Sequence, residues 1–261
     1  MNRRNACRAI AAVLAAPLVA HARQTQTLPA PTSPFKPADY ITIPLRLHVL
    51  KSDVFKDLDC RLTNADLHRI LGKVNAIWRQ AGVHWGLESI LRETAANEDR
   101  LRETRDEAGV IALRSYRLIR PEASRKFDGL HVYYLHKFPV NGVYYGDHTA
   151  LVQDAARLRP VPGGIDEPIP RVTAHELGHA LGLPHRQDHT NLLASGTTGT
   201  SLNAEEVVKA RGYALKMTSA LALKTLRAQL RSVERDGNAD QSKHLRRWVT
   251  EIEAVSAAPN S

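Results

Sequence analysis

The sequence predicts an α+β protein whose N-terminal half is α/β-like. Three observations predict it. In residues 40–50, Ile41, Ile43, Leu45, Leu47 and Val49 alternate with other residues, the period of a strand. From a cap at Thr63 or Asn64 to near Gly82, Leu67, Ile70, Leu71, Val74, Ile77 and Trp78 form one stripe at helical spacing, and a strand over 83–90 follows. That strand–helix–strand order implies parallel pairing with a right-handed crossover. From Leu202 onward only helical patterns remain.

The stripe on the first helix is a core face rather than a cofactor box. Residues 91–118 are dense in charge, with Arg92-Glu93, Glu98-Asp99-Arg100 and Arg105-Asp106-Glu107, and read as one or two solvated helices. A third strand is expected over 130–138. Asn141-Gly142 marks a turn, and 143–153 gives one or two more strands. Residues 157–170 form a Pro/Gly loop, whose Gly163-Gly164 pair alone is no phosphate loop. A helix over 202–215 opens on a capping signature, Ser201 or Asn203 before Glu205 and Glu206. Two more helices, 219–235 and 241–255, break at Asp236-Gly237-Asn238. Leu223, Leu226, Leu230 and Val233 stripe the first, and Leu245, Trp248, Val249 and Ile252 the second.

The chain has 261 residues, 43% hydrophobic and 24% charged, an ordinary globular composition with room for a sizeable core. Residues 1–22 read as a secretory signal peptide. Arg3, Arg4 and Arg8 precede an apolar run over 9–20, and Ala20-His21-Ala22 has the small-x-small form of a cleavage site. The run is too short to span a bilayer, so the expected destination is the periplasm or beyond. Residues 23–39 form a Pro-rich linker or short pro-segment, 40–216 the catalytic domain, 217–256 a helical hairpin and 257–261 a disordered tail. Cys7 lies inside the signal, which leaves Cys60 as the one cysteine of the mature chain. It can form no internal disulfide and no cysteine zinc site, and reads as a buried structural thiol.

The formal charge is +9, three of it from the signal arginines. A basic exported chain can meet anionic surfaces, and Arg227, Arg231, Lys243, Arg246 and Arg247 give the hairpin a basic face for that contact or for plain solvation. No recognition motif or aromatic-basic ladder points to nucleic acid. A monomer is expected.

The chemistry is concentrated between His175 and His185: His-Glu-Leu-Gly-His-Ala-Leu-Gly-Leu-Pro-His. His175 and His179 stand four apart, on one face of a helix, where two imidazoles can share a cation. Glu176 projects beside them. Gly182 allows the left-handed residue that ends a helix, and Pro184 stops the helix resuming. His185 then returns as a third ligand. Three nitrogens with an open fourth position describe a catalytic zinc site rather than a structural one. Chance would produce the pattern in on the order of one in ten thousand chains.

This segment resembles the metzincin zinc endopeptidases, whose signature is His-Glu-x-x-His-x-x-Gly-x-x-His followed by a methionine-containing turn. The resemblance is strong over these eleven residues and weaker over about 41–212. It implies a twisted mixed β-sheet, an active-site helix and a small C-terminal helical subdomain, with the hairpin as an extra. It implies one Zn2+ held by His175, His179 and His185, with Glu176 as general base. It also implies an antiparallel edge strand before the zinc helix, along which extended substrate pairs; residues 142–146, from Gly142 to Gly146, are the candidate. The turn departs from the family. Leu193 stands in the methionine position of Asn191-Leu192-Leu193, and Met217 is the alternative occupant. Leucine and methionine exchange at modest cost. Asp188 could orient a histidine, receive a new N-terminus or cap a loop. Asp147-His148 could join a second metal site, although the full spacing is missing.

The expected activity is hydrolysis of peptide bonds by an exported zinc endopeptidase. Two other classes stay open: a zinc hydrolase of a non-peptide amide, such as a wall amidase, and a catalytically silent binding module, against which the intact Glu176 argues.

Overall fold

Strand β1 (Ile41–Lys51) is buried along almost its whole length, the pattern of a central strand covered on both faces. The computed structural model describes residues 34–257. The expected signal peptide, most of the expected linker and nearly all of the expected tail lie outside them.

After β1 come α1 (Asn64–Trp78), β2 (Val83–Thr94), the short α2 (Glu98–Glu103), β3 (Leu130–Leu135), β4 (Gly142–Tyr144) and β5 (Thr149–Gln153). Then follow α3 (Pro168–Ala180), α4 (Ala204–Ala214), β6 (Leu221–Ala222), α5 (Leu223–Arg235) and α6 (Ala239–Ala257). The sheet order is β2-β1-β3-β5-β4, with β6 beside the start of β1. β2, β1, β3 and β5 are parallel neighbours, and β4 runs antiparallel along β5. The parallel core and the antiparallel edge strand both match the expected mixed sheet.

Alternation along β1 and β3 divides the core. Ile43, Leu45, Leu47, Val49, Val132 and Tyr134 face α1 and α3 in the main cluster, which includes Trp78 and Leu177. Leu50, Tyr133 and Leu135 face the opposite side. There they meet Phe55, Leu101, Tyr116 and Ile119. α1 starts as the sequence predicts. Thr63 and Asp66 form a reciprocal capping box, and Gly82 closes the helix region in the left-handed conformation at φ 58°.

The charged stretch 91–118 departs from expectation. Its first four residues continue β2, which pairs with β1 as far as Lys51 opposite Thr94. Of the rest, one six-residue helix and a 310 segment, Leu113–Ile119, are helical. Leu101, Ile111, Tyr116 and Ile119 bury themselves under the sheet, so sparse apolar residues outweigh the surrounding charge. The loop expected over 157–170 likewise ends early: Pro168 and Pro170 lie in the first turn of α3, where proline's missing N–H costs nothing.

The hairpin α5–α6 packs beside β2. Trp248 fits against Gly86, whose absent Cβ would lie 2.6 Å from the indole, and donates its Nε1–H to Leu87 O at 3.1 Å. On the hairpin's basic face, Arg227 pairs with Glu253, Arg246 with Glu234, and Arg247 donates to Leu87 O. No helix among the described residues is long and apolar enough to cross a membrane.

Candidate metal centre

Helix α3 carries the first two histidines and then stops. Gly182, at φ +74°, takes the left-handed turn, and the Leu183 N–H returns to Gly178 O at 3.0 Å. The Tyr213 ring lies where a side chain at Gly182 would be, 2.5 Å from an ideal Cβ, so glycine is required twice over. The reversed chain delivers His185 to the face of α3 that presents His175 and His179.

The three Nε2 atoms converge. His179 Nε2 lies 3.1 Å from His175 Nε2 and 3.2 Å from His185 Nε2. Four-coordinate zinc with Zn–N bonds of about 2.0–2.1 Å separates its nitrogens by about 3.3 Å, so the spacing fits. The tautomers fit as well. His175 Nδ1 is 2.8 Å from Leu192 O, and His179 Nδ1 is 2.8 Å from Leu183 O. Each Nδ1–H donates to its carbonyl, which leaves an Nε2 lone pair pointing at the same point. Burial lowers the pKa of both rings, His175 to about 3, so they stay neutral. Converging lone pairs repel unless a cation sits among them. Among the described residues this is the one cluster of histidine, cysteine, aspartate or glutamate with metal-ligand spacing.

Glu176 is 5% exposed. Burial raises its carboxyl to about 8, against the pull of Arg171 and the Tyr144 backbone N–H. Gly142 of β4 approaches it so closely that a Cβ there would lie 2.7 Å from Glu176 Oε1 and 2.6 Å from Val172 Cγ1. β4 therefore runs beside the general-base candidate. Asn141 O accepts from Gln153 N–H, and Tyr145 N–H donates to Thr149 O. By antiparallel alternation, the main-chain groups of Gly142 and Tyr144 face away from β5. A cavity of about 550 Å³ lies between β4 and the histidines, walled by Val140, Leu158, Val172, Arg171 and Ser195.

Leu193 occupies the buried turn beneath α3. It is fully buried, and its Cδ1 would be 3.2 Å from a Cβ on Gly178. Met217 follows α4 at the margin of the main core. Asp188 is a loop cap, accepting from the Thr190 N–H and hydroxyl at 2.9 Å each. Asp147 pairs with Arg120 at 2.9 Å and joins no metal cluster. Cys60 is buried, and desolvation pushes its thiol up to about 12.

Three features escape a reading of the motif alone. Leu183 O and Leu192 O fix two tautomers, and main-chain acceptors carry no sequence signal. Glu206 of α4, 1% exposed, accepts from Arg186 at 2.7 Å, Asn191 at 2.8 Å and Asn203 N–H at 2.9 Å, tying α4 to the loop behind His185. Arg171, one turn before His175, is 1% exposed. It donates to Gly199 O, Asn191 O and Ala194 O. Burial lowers it to about 10, so it remains a cation at neutral pH.

Neither a family model nor a curated protein sequence matches the chain. Among solved structures it is similar to archaemetzincin from Methanopyrus kandleri, with 16% identity over 67% of this chain and 97% of that one, at a TM-score of 0.44. It is also similar to metalloproteinase-II from Bacteroides fragilis (15%, 69% and 55%, TM-score 0.42). A third similar structure is a zinc-dependent peptidase from Methanocorpusculum labreanum (14%, 65% and 99%, TM-score 0.31). The second is named as a metalloproteinase and the third as a zinc-dependent peptidase, yet likenesses this distant assign no activity to this chain.

Proposed function

We propose that the chain is a zinc-dependent endopeptidase of the metzincin kind, exported by the signal expected at 1–22. The observation that carries this reading is the convergence of three imidazole Nε2 atoms, 3.1 and 3.2 Å apart, beside a buried carboxyl. His175, His179 and His185 would hold the ion, and Glu176 is the catalytic residue. Zinc, when bound there, supplies a Lewis acid that brings the pKa of a water toward neutrality and polarises a carbonyl.

Glu176 takes the proton of the attacking water and passes it to the leaving amine. Its buried position suits a carboxyl that must bind and release a proton near neutral pH. An extended peptide would add to the outer edge of β4, pairing with the outward main-chain groups of Gly142 and with Tyr144 O, while the Tyr144 N–H serves Glu176. That edge favours a peptide over a non-peptide amide.

The test compares the chain with its Glu176→Ala variant, zinc quantified in both, on a peptide library read by mass spectrometry. One zinc per chain in each, with cleavage by the wild type alone, is the expected result. Zinc without cleavage removes the peptidase reading, and no zinc removes the metal site.

A further inference from the structure

Strand β4 has two faces and one open edge, and only one face meets the histidines. Gly142 stands opposite Val152 and Tyr144 opposite Ala150, on the side of the main core and α3. Val143 stands opposite Leu151 and packs on the other face of the sheet, where Leu113 and Tyr145 join it. Yet the cavity that contains the histidines and Glu176 is also lined by Leu113, Val140 and Val143. It therefore runs around the outer edge of β4 and reaches the face turned away from α3.

The register of an added strand decides which residue arrives there. Asn141 and Tyr145 bond to β5 through their main chains, so by alternation Val143 does too. In a peptide paired with the outer edge, the residue opposite Val143 then belongs to a non-hydrogen-bonded pair, the closer kind. Its side chain shares the face of Val143, with the two Cβ atoms about 4.5–5.5 Å apart. Its two neighbours point the other way, toward Glu176 and the histidines. The groups around Val143 offer apolar surface. Leu113 is half-buried, and the polar atoms beside it are engaged: Leu113 O accepts the Tyr145 hydroxyl at 2.8 Å, and Tyr145 O accepts from Arg117 at 2.8 Å. A polar side chain would give up water there without gaining a partner, whereas an apolar one gains by covering aliphatic surface.

We propose that Leu113 and Val143 form a shelf behind β4 that selects an apolar side chain at the substrate residue paired with Val143. Leu113 thereby becomes a specificity-determining residue, supplied by the charged segment 91–118 rather than by the histidine motif. The inference rests on the peptidase reading above and on strand addition to β4.

The experiment passes a degenerate peptide library over immobilised Glu176→Ala protein with zinc bound, sequences what is retained, and digests the same library with the wild type. Leucine, isoleucine, valine and methionine should be enriched about tenfold over serine, asparagine and glutamine at one fixed position. That position should lie within about two residues of the cleaved bond, since its neighbours face the histidines, and should agree between retained peptides and cleavage products. Leu113→Ser should flatten the profile at that position alone, while selection at the adjacent positions, whose side chains turn toward Leu158 and Val172, persists. Should Leu113→Ser misfold, the milder Leu113→Ala takes its place. A folded Leu113 variant with the wild-type profile overturns the inference. So does a polar preference or none at that position, and so does apolar enrichment spread evenly over all positions, which reports only adhesion. Cleavage without the preference removes the shelf and keeps the peptidase; position-specific apolar retention, lost in the Leu113 variant, without cleavage by the wild type keeps the shelf and removes the peptidase. Neither retention nor cleavage removes both.

Discussion

At the scale of single residues, the site depends on one missing methyl group. Gly142 brings strand β4 against Glu176, and an ideal Cβ there would sit 2.7 Å from Oε1 and 2.9 Å from Cγ. Gly142→Ala must therefore displace the carboxyl or the strand by a few tenths of an ångström or more. We expect kcat to fall by up to about 100-fold with KM little changed, because misplacing a catalytic group by about 1 Å costs that much. Steady-state kinetics on a cleaved peptide would show it, and an unaltered kcat would mean that the contact has no role in placing the base. Leu193→Met should be nearly silent, below about 1.5 kcal/mol in stability, with zinc content unchanged. Thermal unfolding and metal analysis check both. The histidines and Glu176 were legible in the sequence because their relation is local: four residues is one helical turn. Arg171 stands at that same spacing before His175, so its face was legible too. Its burial was not, since three carbonyls from 191–199 create the environment that accepts it. Gly142 was readable as a turn residue and an edge, but its approach to Glu176 belongs to the packing of β4 on α3.

At the scale of elements, the third ligand is secured by a helix that contributes nothing to the cluster itself. Asn203 and Glu206 cap α4 reciprocally, and the same Glu206 carboxylate holds Arg186 and Asn191. One side chain thus fixes the start of a helix and the loop that leaves His185. Such supporting partners commonly change metal affinity by about 10- to 100-fold when lost. Glu206→Gln keeps the shape and removes the charge, so it should loosen zinc within that range while the far-ultraviolet circular dichroism stays native. Competition with a chelator measures the affinity, and an unchanged value would confine Glu206 to capping. Elements with a strong local signal were readable in advance: β1 by alternation, α1 by its stripe and cap, α4 by its capping box. Residues 91–118 were not. Their charges describe the solvated side of a segment whose Leu101, Ile111, Tyr116 and Ile119 are called inward by the second face of the sheet. That demand comes from β1, β3 and β5, which lie far away in sequence.

At the scale of the whole molecule, the sheet separates two environments. One face, with α1 and α3, supports the metal centre. The other carries a buried polar chain across β1 and β3, in which Glu93 Oε1 lies 2.6 Å from His48 Nδ1, and His48 Nε2 lies 2.9 Å from His131 Nδ1. His48 is stacked on Tyr133 at 3.9 Å between ring centroids, and both imidazoles are buried. The neutral rings satisfy this chain in one direction: His48 Nδ1–H donates to Glu93, and His131 Nδ1–H donates to His48. Desolvation lowers both pKa values, and repulsion from His48 helps take His131 to about 4. The consequence for stability has a definite sign. Between the ordinary imidazole value of 6.5 and about 4, the unfolded chain binds protons that the folded chain refuses. Stability therefore rises with pH across that window and is lost on acidification through it. The metal ligands His175 and His179 titrate in the same direction, so the comparison must hold them constant. In metal-stripped protein, the urea midpoint of the wild type should drop between pH 7 and pH 4.5. His131→Leu, in which one of the two buried imidazoles is gone, should show a shallower drop over the same range. Parallel profiles for the two proteins would place the acid sensitivity elsewhere and leave the His48–His131 chain as packing alone.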